Sequence, residues 1–147
     1  MSDSKQLERA HAFFDQLKQE IKSLAREVNE HNDGTLHDGF CTKDIEDGWV
    51  AYKGLSCGFA LQPEPLAIDM TYGPDGPFVG YRIQLIPYEL GSQIAWVDSN
   101  HDLRFYSPMH LARYCLETLA ARAHDTLPSS FFGSKETINW SASDHYR

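Results

Sequence analysis

Between Trp49 and Ser107 the chain offers no uninterrupted stretch that suits a helix. Instead, short β-prone runs fall near residues 49–53, 57–62, 66–72, 78–86, 93–98 and 102–107, with turn residues between them. Parallel neighbours need a crossover connection of roughly a dozen residues or more. None of these gaps provides one, so the runs predict an antiparallel meander of five to six strands. The segment Tyr72-Gly73-Pro74-Asp75-Gly76-Pro77 is the strongest turn signal, combining fixed φ, a side-chain acceptor and a residue free to take positive φ. Alternation assigns the faces. Leu66, Ile68 and Met70 point one way, against Ala67, Asp69 and Thr71, and Tyr81, Ile83 and Leu85 suit a core, against Arg82 and Gln84.

The flanks read differently. Leu7, Ala10, Phe14, Leu17, Ile21, Leu24 and Val28 recur at alternating spacings of three and four, a single apolar stripe on a helix from about Ser4 to Glu30. Phe13 and Ala25 widen that stripe. Such a helix is about 40 Å long, long for a small domain, and this suggests a homodimer through part of its face. A second helix opens at Ser107-Pro108, a capping residue followed by proline in the first helical position. Its stripe is Met109, Ala112, Leu116, Leu119 and Ala123, and it stops by Thr126, before Leu127-Pro128. The expected fold is α+β, with a long N-terminal helix, the meander sheet and a C-terminal helix, both helices on one face of the sheet. Residues 1–127 form a single domain on this reading. Residues 128–147 are a polar tail carrying Phe131, Phe132, Trp140 and Tyr146, expected to pack on the domain.

Composition narrows the function classes. The chain has 147 residues, 13 Lys+Arg against 21 Asp+Glu, and a formal charge of −8. That balance argues against direct nucleic-acid binding, which needs clustered cations. Half of the charge sits in one connector, residues 31–48, where Lys43 faces Asp33, Asp38, Asp44, Glu46 and Asp47. No apolar run approaches the roughly 20 residues that span a membrane. Cys41, Cys57 and Cys115 are odd in number and widely spaced, as free thiols of a cytoplasmic protein would be.

Two surfaces emerge as candidate binding sites. The first is the polar face of the sheet opposite the helices, with Asp69, Arg82, Arg104 and Tyr106. The second is the acidic connector, with Asp38, Asp44, Glu46 and Asp47. Metal patterns fall short. His31, His37 and Cys41 lack the close cysteine pair of a zinc site. The acidic run from Asp44 lacks the closing glutamate of a calcium loop, since Leu55 stands in the twelfth place. Asp98, His101, Asp102 and His110 offer a base with carboxylates, but the chain has neither a nucleophile elbow nor a glycine-rich phosphate loop. No catalytic residue, metal or cofactor is therefore assigned.

The expected function is a non-catalytic acidic protein-binding module, of inhibitor, adaptor, immunity or chaperone type, acting on a basic macromolecular partner. The alternative is a small-molecule binder or small enzyme using the open sheet face or a cavity beneath the helices, lined by Trp49, Tyr52, Trp96 and Tyr106.

Overall fold

A computed structural model describes residues 2–32, 34, 36–74 and 81–128. Helix α1 (Ser2–Glu30) leads into strands β1 (Trp49–Tyr52), β2 (Leu55–Pro63), β3 (Leu66–Pro74), β4 (Tyr81–Leu90), β5 (Gln93–Asp98) and β6 (Leu103–Phe105), and helix α2 (Pro108–Arg122) closes the order. The six strands pair antiparallel in sequence order, β1 to β6. The expected α+β meander is the observed one. The aromatic tail expected at 128–147 lies, from residue 129 on, outside the described residues, as does the loop at 75–80.

Turn chemistry fixes the register. Lys53 and Gly54 both take positive φ (50° and 78°) in the two-residue turn between β1 and β2, the backbone that matches strand twist in a tight hairpin. Gly91 supplies positive φ at the first turn position between β4 and β5. Between β5 and β6 the buried Asp98 carboxylate accepts from the backbone N–H groups of Asn100 and His101 and from Gln84 of β4. The Asp98–His101 cluster is thus a turn brace.

Both helices cover the same face. Phe13 and Phe14 of α1 meet Trp96 of β5 and Phe59 of β2, with ring centroids 5.5 and 6.1 Å apart. Tyr114 of α2 meets Phe105 of β6 and shares a 3.2 Å hydroxyl contact with Tyr81 of β4. The apolar stripe of α1 is used within the chain: Ala10, Leu17, Ile21, Leu24, Ala25 and Val28 are all buried. Ser107 caps α2 by accepting from the N–H of His110, with Pro108 in the first turn, as the sequence suggests.

Arg113 and Glu117 stand one turn apart on α2, with Glu117 only partly exposed. Burial pushes the Glu117 carboxyl up to about 7, against the lowering effect of Arg113. The folded state then binds a proton more tightly than the unfolded one, so stability falls as pH rises from the ordinary carboxylate range towards neutrality. Glu117→Gln is expected to raise the unfolding free energy by about 1–2 kcal/mol at pH 8, after allowance for solvent screening. Near pH 4 it should leave stability unchanged, and urea titration at the two pH values measures the difference.

The face of the sheet that the two helices leave uncovered follows from the pairing. One row across it runs Trp49, Gly58, Thr71 and Arg82. The next runs Ala60, Asp69 and Gln84, and a third joins Ile86, Val97 and Arg104.

Candidate functional site

The acidic connector is built into the domain. Leu36, Phe40 and Ile45 are buried in the core, and Cys41 bridges Ala51 on the outer edge of β1. Asn29, at the end of α1, grips Phe40 from both sides, accepting its N–H and donating to its carbonyl. A single 3-10 turn at Ile45–Asp47 then aims the chain into β1. The Asp44 carbonyl accepts from the N–H groups of Asp47 and Trp49, fixing both residues beside the sheet.

Gly48 makes this approach close. Its φ is +101°, its carbonyl accepts from Phe59 N–H at 2.8 Å, and a Cβ there would lie 2.9 Å from the Phe59 carbonyl oxygen. A side chain meets both a left-handed backbone and a backbone wall. Gly48→Ala is expected to cost at least about 1–2 kcal/mol, read as a lower urea midpoint with unchanged slope.

The connector and the sheet face thereby meet in one groove of about 480 Å³, lined among others by Asp47, Trp49, Gly58, Ala60, Asp69 and Arg82. Gly58 and Ala60 give it a low floor, and Trp49, 44% exposed, stands at its β1 end. Asp69 and Arg82 form an ion pair at 3.3 Å through Oδ2. The second oxygen of Asp69, Oδ1, is buried with no hydrogen-bond donor among the described residues. Glu46, exposed, has Lys22 of α1 at 3.9 Å.

Of the eight residues singled out from the sequence, Asp47, Asp69 and Arg82 converge on this groove, with Asp44 and Glu46 in the turn that leads to it. Arg104 stands apart. It sits on β6, two strands from Arg82 and level with Ile86, so it lies roughly 10 Å sideways and roughly 13 Å along the strands from Arg82. Tyr106 lies one residue beyond β6 and borders a smaller depression of about 220 Å³ with Arg9, Phe13, Ile94 and Trp96 at the sheet's edge. Asp38 belongs to a different structure, next to His37, and accepts from the N–H of Gly39 in its own loop.

That structure is a clamp between the connector and the end of α2. Asp125, buried, accepts from the Tyr52 hydroxyl at 2.5 Å, from His37 Nδ1 at 2.5 Å and from Lys53 Nζ at 3.4 Å. The carboxylate can only accept, so His37 carries its proton on Nδ1. The Tyr52 hydroxyl, with His37 and Lys53, holds the Asp125 carboxyl well below the usual carboxylate range, against the opposing effect of burial. Burial first, then Asp125 as acceptor, pushes the Tyr52 hydroxyl up to about 12. A lowered carboxyl stabilises the fold above its ordinary pKa, and the benefit is lost as pH falls below it. The His37 side chain is mostly exposed, so its outer nitrogen faces water. The pair has the arrangement that orients an imidazole base, and the structure uses it to fasten the loop.

Two further groups complete the chemistry. The thiols of Cys57 and Cys115 are fully buried with sulfurs 3.5 Å apart, between β2 and α2. Burial and the neighbouring sulfur raise the Cys57 thiol, in keeping with its packing inside the core. Among the described residues no three His, Cys, Asp or Glu side chains gather to hold a metal ion.

The sequence reading missed one feature of the face. Along β4 the outward residues begin polar, at Arg82 and Gln84, then turn apolar at Ile86, Tyr88 and Leu90. These three are 49%, 58% and 39% exposed. The core-side positions of the same half-strand hold Pro87 and Glu89, and Glu89 accepts from Gln6 of α1. The β4–β5 hairpin thus presents an apolar stripe to solvent. The inversion of alternation after Leu85 was the signal that could have shown it. Trp49, Tyr52, Trp96 and Tyr106 do not share a site, because Tyr52 and Trp96 are buried on the helix side while Trp49 lies on the uncovered face.

Comparison of the chain with known protein families, curated proteins and solved structures finds no match.

Proposed function

We propose that this protein is a non-catalytic binding module that docks a basic protein partner on the uncovered face of its sheet. One observation carries this reading: Ile86, Tyr88 and Leu90 form an exposed apolar stripe on a face that the helices leave bare. A face that merely meets water alternates to polar side chains, and a concentrated apolar patch marks a site of association. The groove at Asp47, Trp49 and Asp69 lies on the same face and gives it an acidic end. Free thiols at Cys41, Cys57 and Cys115 support a cytoplasmic setting. Among the described residues no helix is long and apolar enough to cross a membrane.

Self-association through α1 is the second partner reading. It would use the outer side of that helix, because the inner stripe is buried in the chain's own core. Light scattering tests it directly, since a strict monomer at high concentration excludes it. The alternative, a small molecule on the open face, is favoured by the groove's volume, which falls within the range of ligand sites.

The experiment is affinity capture from the native host with the unchanged protein and with Ile86→Thr, Tyr88→Thr and Leu90→Thr combined. The reading expects one or more basic proteins retained by the first, released by raised salt, and missing from the second. An identical set of captured proteins from both would overturn it.

A further inference from the structure

The geometry points to a recognition site for an arginine side chain in the groove between β1 and β4, formed by Trp49, Asp47 and Asp69. The inference rests on the binding-module reading and names the partner's chemistry at that site: an arginine-bearing segment of a basic protein.

Four features of the groove converge on that ligand. It crosses the sheet from Trp49 of β1 to Arg82 of β4, three strand spacings or roughly 14 Å. Its floor is Gly58, Ala60 and Thr71, so a long side chain lies over small residues of the sheet. An exposed tryptophan at one end suits a guanidinium, which stacks on aromatic faces as well as carrying charge.

The charges set the sign of the occupant. Asp47 and Asp69 line the groove, with Glu46 and Asp44 in the turn beside Asp47. The cation in the lining is Arg82, and it is engaged with Asp69 through Oδ2 at 3.3 Å. Asp69 Oδ1 is buried and lacks a donor among the described residues. An incoming guanidinium supplies N–H groups in a planar fork that suits the exposed Asp47 carboxylate in the lining, while Asp69 adds negative charge beside it. Lysine brings the charge but neither the fork nor the stacking surface.

The test uses the full chain and three capped peptides: tetra-arginine, tetra-lysine and tetra-glutamate. Binding is followed by NMR through the Trp49 indole and the Gly48, Gly58 and Thr71 amides. The tetra-arginine peptide is expected to shift these signals and to bind at least about threefold tighter than tetra-lysine. Trp49→Ala, and Asp47→Asn with Asp69→Asn, should each weaken it at least about fivefold. The charge-matched control, Asp15→Asn with Glu27→Gln on the exposed side of α1, should change it less than about twofold. Equal weakening by the control would overturn the inference, because attraction would then come from net charge alone. Preferential binding of tetra-glutamate would overturn it as well, by making Arg82 the recognising group.

Partner capture separates the two levels. Should the peptides show no preference while the Ile86, Tyr88 and Leu90 variant still loses its partner, the arginine site falls and the binding module stands. Should capture survive in that variant and in Trp49→Ala alike, the binding-module reading itself falls.

Discussion

Truncating Trp96 to alanine is expected to destabilise the fold by about 3–5 kcal/mol, the range for removing a large buried aromatic. Trp96 is completely buried and heads the largest fully buried side chains. It faces the helices from β5, with the Phe13 ring of α1 5.5 Å away, so its loss opens a cavity between the sheet and the longest helix. Against a typical total of about 5–15 kcal/mol, the variant would unfold at a temperature lower by roughly 10 °C or more. Thermal unfolding followed by circular dichroism measures this. A change below about 1 kcal/mol would mean that α1 does not depend on β5 for its seat.

The opposite face should behave in the opposite way. Ile86→Thr, Tyr88→Thr and Leu90→Thr together are expected to leave stability within about 0.5 kcal/mol, since exposed side chains away from caps and cores contribute little and threonine suits a strand. Partner affinity should fall at least about a hundredfold, equivalent to two anchors of modest strength in an interface. The contrast matters because these residues and Trp96 lie on neighbouring strands of one sheet. Fold and binding are therefore separable by face. Titration calorimetry with the captured partner, beside a urea curve of the variant alone, gives both numbers. A loss of affinity accompanied by an equal loss of stability would make these residues structural.

Local signals carried most of the architecture. Turn dipeptides and the lack of helix-length gaps gave the meander, and β2 appears close to its expected bounds, at Leu55–Pro63 against residues 57–62, whereas β4, expected at 78–86, runs from Tyr81 to Leu90. The stripe from Leu7 to Val28 and the Ser107-Pro108 cap gave the helices. What the sequence could not show are the meetings of distant segments. Asp125 and His37 are 88 residues apart, and nothing local marks either as the other's partner. Cys57 and Cys115 likewise meet only because α2 packs across β2.

The site was half legible for the same reason. Asp69 and Arg82 were readable as neighbours on one face, and the structure makes them an ion pair. The link from that face to Asp47 depends on the close approach of Gly48 to Phe59, a tertiary contact. Alternation puts Tyr106 on the polar face beside Arg104, but the strand ends at Phe105, and Tyr106 instead borders the depression with Arg9, Phe13 and Trp96. In β4 the pattern of Tyr81 to Leu85 does not extend to Leu90, where Pro87 and Glu89 occupy the core-side positions and the apolar residues face out.

The most direct test of the account is hydroxyl-radical footprinting of the protein alone and in complex with its captured partner, read residue by residue. If the partner docks on the uncovered face, Trp49, Ile86, Tyr88 and Leu90 lose reactivity in the complex, while exposed residues of α1 such as His11 keep theirs. Protection confined to α1, with Tyr88 and Trp49 as reactive as in the free protein, would contradict it.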